Sequence, residues 1–110
     1  MIEETLAGLV ERFNRHVAQN PALRTELTGI DRTIAIRITD GERYALELRS
    51  GELTALRTGT VPRADLTVTT DEATFLGLVR KEIGPMKALV TRKLAIEGTL
   101  EDKLLFRKLL

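Results

Sequence analysis

The sequence predicts an α+β fold: a five-stranded, mostly antiparallel mixed sheet with the helices packed on one face. The predicted order is helix, three strands, crossover, strand, helix, short helix, strand, helix. Three observations carry this prediction. The opening segment repeats its apolar residues at steps of three and four, Ile34, Ile36 and Ile38 alternate with polar or small neighbours, and proline steps at Asn20-Pro21 and Gly84-Pro85 interrupt the helical stretches. A half-solvated sheet has to bury its apolar face, and helices on one side do that.

In the first segment Ile2, Leu6, Leu9, Val10, Phe13 and Val17 form one stripe, while Glu3, Glu4, Glu11, Arg12 and Arg15 occupy the other side. The helix stops near Asn20-Pro21, because a residue before proline avoids the helical region and proline lacks the donor that a continuing helix needs. Residues 21–31 then read as a connector, with Leu23 and Leu27 in a short turn against the core. The first strand sets Ile34, Ile36 and Ile38 on one face and Thr33, Ala35, Arg37 and Thr39 on the other. Asp40-Gly41 signals a hairpin through residues that tolerate positive φ. The second strand places Tyr44, Leu46 and Leu48 inward, Ser50-Gly51 turns the chain, and Glu52 to Arg57 gives a third strand in which Leu53 and Ala55 compete with Leu56 for the buried side.

After the crossover at residues 59–63, a fourth strand carries Leu66 and Val68 inward and Asp65, Thr67 and Thr69 outward. Asp71 caps the next helix, with Glu72 at its positive end. Phe75, Leu76, Val79 and Ile83 form that helix's stripe, with Gly77 as its weak point. Pro85 opens a short helix bearing Met86, Leu89 and Val90. Lys93 to Glu97 reads as the fifth strand, and Gly98-Thr99 leads into a last helix with Leu100, Leu104, Leu105 and Leu109 on one side.

The chain of 110 residues has 43% hydrophobic and 30% charged residues, which suits one folded domain over residues 1–110 rather than a disordered chain. A net charge of +1 argues against a nucleic-acid binder, which needs a concentrated basic face. The absence of cysteine removes disulfides, thiolate nucleophiles and zinc–thiolate sites. No apolar run reaches the length of a membrane span, and the amino end carries acids where a signal peptide carries bases, so the expected location is cytoplasmic.

Catalytic residues are scarce. His16 is the sole histidine and sits at the edge of the first helix's stripe, with no second histidine to complete a metal site. Ser50 falls in a turn without a neighbouring base. Asp65 and Asp71 read as a solvated strand residue and a helix cap. Tyr44 either donates into an apolar cavity or reaches the sheet edge from the core. Glycines in phosphate-loop spacing are missing. The expectation is therefore a protein that is not an enzyme and uses no cofactor or metal.

The stretch from Ala64 to Gly98 resembles the second half of sterol carrier protein type-two domains. The matching pieces are Ala64-Asp65, Thr67-Val68-Thr69, Phe75-Leu76, Pro85, Ala88, Lys93-Leu94, Ile96 and Gly98, in register without a gap. Three positions depart from the pattern: Gly84 stands where Asn is usual, Met86 where Gln is common, and Arg92 where the last strand normally begins with Gly. The resemblance implies non-catalytic binding or transfer of a hydrophobic ligand in an apolar tunnel between sheet and helices. A fatty acid, acyl thioester, prenyl lipid or sterol-like lipid fits that description. The same stripes would equally fill a solid core. Where stripes and resemblance converge, the ligand-binding candidates are Ile36, Phe75, Val79, Met86, Leu89 and Val90, joined by Leu94, Ile96, Leu104 and Leu105. The last helix reads as a lid or wall hinged at Gly98. The alternative function is an accessory or dimerisation module beside a lipid-handling or quinone-biosynthesis enzyme, acting as a homodimer or with that partner.

Charge adds one hint. From Glu72 onward there are eight basic and five acidic residues, and Arg80, Lys81, Lys87, Arg92, Lys93, Lys103, Arg107 and Lys108 form either a solvated face or a rim for transient contact with an anionic membrane surface.

Overall fold

A computed structural model describes residues 2–54 and 56–109, with side chains up to residue 104. Helix α1 spans Ile2–Ala18 and α2 Pro21–Leu27; strands β1 (Asp31–Ile38), β2 (Arg43–Arg49), β3 (Glu52–Leu53), β4 (Arg57–Thr58) and β5 (Leu66–Thr70) follow. Helices α3 (Glu72–Val79) and α4 (Pro85–Val90), strand β6 (Leu94–Gly98) and helix α5 (Leu100–Leu109) complete the order. The sheet runs β3-β2-β1-β5-β6, with β4 also paired to β2. It is mixed: β1 pairs antiparallel with β2 and parallel with β5, and β5 pairs antiparallel with β6.

One face of this sheet is apolar because alternate residues of every long strand are apolar. Ile34, Ile36, Ile38, Tyr44, Leu46, Leu48, Leu66, Val68 and Leu94 are buried together with Ile2, Leu6, Phe13, Val17, Leu27 and Phe75 from the helices. The opposite face carries exposed Arg37, Arg43 and Glu97, and Glu47 there pairs with Arg49 and Arg57. The fold class and the one-sided packing match the sequence prediction.

Three local differences have physical reasons. The expected third strand is split into β3 and β4. Leu48 opposes Leu53 but Ala45 opposes Arg57, so the edge segment carries one extra residue, a bulge. At the break the Glu47 amide donates to Thr54 Oγ1 at 2.9 Å, while the Thr54 amide donates to the Glu47 carbonyl. Leu53 is buried and Leu56 half-buried; Ala55 lies outside the described residues. The connector after Pro21 is instead a helix, since Asn20 accepts from the Leu23 amide at 3.2 Å and caps α2 while Pro21 fills its first turn. The stop signal for one helix is also the start of the next. At the Asp40-Gly41 hairpin neither residue adopts positive φ, and a longer loop closes with the Ile38 amide donating a hydrogen bond to the Glu42 carbonyl. Asp40 serves elsewhere, accepting from the Glu72 amide at 2.9 Å.

Asp71 caps α3 as predicted, accepting from the Thr74 amide at 2.7 Å and the Thr74 hydroxyl at 2.9 Å. The hydrogen bond donated by the Thr74 amide is the main reason its carboxyl stays below the ordinary aspartate range. Gly77 is a close-approach site rather than a weak point. A Cβ there would come within 2.5 Å of Ile83 Cδ1, so the missing side chain is the space into which Ile83 folds back.

Candidate functional site

The ten predicted ligand-binding residues fall into separate environments. Ile36, Phe75 and Leu94 are buried in the core, and Val79 and Ile96 are half-buried against it. Met86, Leu89, Val90 and Leu104 are exposed, at 69%, 36%, 77% and 53%. The side chain of Leu105 lies outside the described residues, as do those of Arg107 and Lys108.

Helical geometry explains the split on α4. Ala88 is its one buried residue, and at 3.6 residues per turn Met86 and Val90 fall within about 20° of the direction opposite to it. They point away from the protein rather than into a space between helix and sheet, which corrects their expected placement. Leu89 lies on the flank. The helix is bounded by Gly-Pro at its start and by a hydrogen-bonded cap at its end. Gly84 precedes Pro85, and at the far end Arg92 donates to Leu89 and Lys93 to Ala88 in a Schellman arrangement.

On α5 a similar correction applies. Leu100 is 74% exposed and Leu104 53%, whereas Asp102 is buried. The first turn is thus oriented by polar groups instead of its leucines. Thr99 Oγ1 accepts from the Asp102 amide, and the Asp102 carboxylate accepts from Arg32 Nε at 2.6 Å across a separation of 70 residues. This hydrogen bond raises the Arg32 pKa above its ordinary value. Gly98 is not a free hinge. It pairs with Leu66 at φ 156°, and a Cβ there would stand 2.8 Å from the Asp65 carbonyl oxygen. Helices α4 and α5 both pack on β6, whose outer edge is unpaired among the described residues.

A groove of about 560 Å³ lies elsewhere, between α1 and the β3–β4 edge. Its walls are Ala7, Val10, Leu53 and Leu56 with Glu3, Glu11, Asn14 and Thr58. Sequence reasoning missed Asn14. Its amide donates to the Leu53 carbonyl at 2.9 Å and its oxygen accepts from the Leu53 amide at 2.7 Å, so one side chain takes the place of a neighbouring strand. The bond spans 39 residues, and no local pattern signals it. Tyr44 is buried and its hydroxyl donates to Glu3 at 3.4 Å. Burial, then the charge of Glu3, raises the phenol pKa. Two carboxylates on the rim make this groove unfavourable for an anionic head group.

Candidate catalytic groups are dispersed. His16 is exposed on α1, the Ser50 hydroxyl accepts from the Gly29 amide in its turn, and Asp65 accepts from the Thr33 amide at 2.8 Å. Among the described residues no cluster of three His, Cys, Asp or Glu side chains is placed to hold a metal ion. No helix among them is long and apolar enough to cross a membrane.

Several solved structures resemble this one. The stereoselective inverting sec-alkylsulfatase from Pseudomonas sp. matches with a TM-score of 0.64 and 27% identity over 79% of this chain, which spans 14% of the sulfatase chain. A ubiquinone synthesis protein, UbiJ-SCP2, matches with a TM-score of 0.64 and 18% identity over 94% of this chain and 85% of its own. Palmitated SCP2L2 from Aedes aegypti matches with a TM-score of 0.59 and 21% identity over 87% of this chain and 86% of its own. Among curated proteins no sequence matches. The family model that matches covers residues 10–110, and on that match the chain belongs to the SCP-2 sterol transfer family.

Proposed function

We propose that this chain is a non-catalytic domain that binds or transfers a lipid with an acyl or prenyl chain. The observation that carries the reading is at β6. Two helices pack on this strand, yet Leu89 and Leu104 stay exposed and Ile96 only half-buried. A hydrocarbon chain laid along β6, with Ile96 as floor and Leu89 and Leu104 as flanks, removes that surface from water. Each methylene so covered contributes about 0.8 kcal/mol, so lengthening a fatty acid by two carbons should tighten binding about tenfold until the site is filled. The family relationship and the palmitate named with the Aedes relative support an acyl chain.

The test is displacement of a fluorescent fatty acid. Leu89→Trp should abolish binding with an unchanged melting temperature, because residue 89 is exposed enough to admit a larger ring without overpacking. Val10→Trp should leave binding intact. Loss of binding in the second variant alone moves the ligand to the groove beside α1, and a wild-type protein that binds no acyl chain refutes the reading.

A second reading is favoured by one observation, the 27% identity to a segment spanning 14% of a sec-alkylsulfatase chain. Here the domain is an accessory module that presents an apolar surface beside an enzyme. Organic extraction and mass spectrometry of protein purified without detergent separate the two. A co-purified acyl or prenyl lipid supports the carrier, and an empty protein that binds an alkyl-processing enzyme supports the module.

A further inference from the structure

Helix α4 carries apolar side chains on the wrong side for a core. Met86 and Val90 sit one turn apart, opposite buried Ala88, and are exposed at 69% and 77%. Around them, residues 84–93 include Lys87, Arg92 and Lys93, all exposed, and no acid. Arg92 lies at φ 62°, the position after the helix cap where glycine is usual, and Lys81 at φ 60° ends α3 in the same way. A bulky cation kept in a conformation that glycine adopts at less cost points to a use for the side chain.

We propose that α4 and the turn after it are a membrane-docking tip. Met86 and Val90 enter the head-group boundary of an anionic phospholipid bilayer, while Lys87, Arg92 and Lys93 meet the lipid head groups. The proposal extends the carrier reading, since a lipid chain held along β6 then lies next to the bilayer from which it comes. A bilayer fits better than a protein partner. A six-residue helix with two protruding side chains falls well short of the roughly 800 Å² per partner that a stable protein interface buries, whereas a fluid surface demands no matching shape. The charge is complementary, and each cation near an anionic surface strengthens binding about fivefold.

Cosedimentation of the full chain with phosphatidylcholine vesicles, with and without phosphatidylserine, tests this. Binding should require phosphatidylserine and weaken as salt shortens the screening length from about 8 Å to about 3 Å. The double variant Met86→Ser, Val90→Ser should bind such vesicles at least about tenfold more weakly. It should keep its affinity for a fluorescent fatty acid in vesicle-free solution, because neither side chain faces β6. Arg92→Gly should lose about fivefold in vesicle affinity while melting at a higher temperature, a combination that misfolding cannot produce. Equal binding to vesicles lacking phosphatidylserine overturns the proposal, as does equal binding by the double variant. A wild-type dimer that the double variant dissociates, with no vesicle binding by either, assigns the face to a second copy instead. If vesicle binding behaves as described but no fatty acid binds in solution, the carrier reading falls and the docking surface stands.

Discussion

Asp102→Asn should release α5 while leaving the sheet intact. The Asp102 side chain is 11% exposed and that of Arg32 31%, with 2.6 Å between Oδ1 and Nε. A hydrogen bond between charged groups contributes about 1.5–3 kcal/mol when dry, and the partial solvent access of Arg32 lowers that to about 1–2 kcal/mol. Such a loss multiplies the undocked fraction of α5 by about 5 to 30. Asparagine keeps the size of the side chain, and the bond from the residue 102 amide to Thr99 survives because it uses the backbone. The measurement is amide hydrogen exchange, comparing α5 with the β1–β2 ladder. Exchange in α5 should accelerate by that factor while the ladder stays protected, and Arg32→Met should do more because it leaves the buried carboxylate without its charged partner. Unchanged α5 exchange in Asp102→Asn would refute the claim that this pair holds the helix. Equal acceleration in α5 and the ladder would show that the helix is inseparable from the global fold.

Asp71→Ala should cost about 1 kcal/mol through the lost cap, whereas Asp71→Asn should cost less. Because the Asp71 carboxyl lies below its ordinary range in the folded state, its contribution is present above about pH 4 and fades as pH falls through the folded value, so chemical denaturation should show wild type losing more stability than Asp71→Asn in that acid window. Gly77→Ala should destabilise by about 1–3 kcal/mol through collision with Ile83, and Ile83→Ala should remove most of the additional penalty in a double-mutant cycle; strict additivity would contradict the contact. Asn14→Ala should cost about 1–3 kcal/mol by leaving the Leu53 amide without its partner, read as a lower melting temperature and faster exchange at β3; unaltered exchange at Leu53 would count against the bridge.

Much of the fold was legible because it depends on local periodicity. The alternation at Ile34, Ile36 and Ile38 gives a buried face, and the stripe from Ile2 to Val17 gives a helix to cover it. Asp71, Gly84 and Pro85 mark boundaries through chemistry contained within a turn. What was not legible depends on partners far apart in the chain. Asn14 with Leu53 and Arg32 with Asp102 decide how α1 and α5 meet the sheet, and neither pairing leaves a mark in its own neighbourhood. The candidate site suffered most. An apolar residue on a short helix looks the same in sequence whether it faces in or out, and on α4 the single alanine, smaller than its neighbours, proved to be the inward one.

The position of β5 has a consequence for how the molecule assembles. It inserts between β1 and β6, parallel to β1, so the sheet contains a seam where residues about 32 apart in sequence are joined, such as Ile34 with Leu66. Strands β1 to β4 form a meander through pairings between neighbours in sequence, and without β5 that meander has one edge of β1 bare. In a chain whose meander pairs before β5 arrives, a strand from another molecule competes for the same row of amides and carbonyls. The arrival of β5 is the step that seals the seam. Substitutions that slow this pairing, at Leu66 or Val68, should therefore raise aggregation during refolding by more than their effect on final stability accounts for.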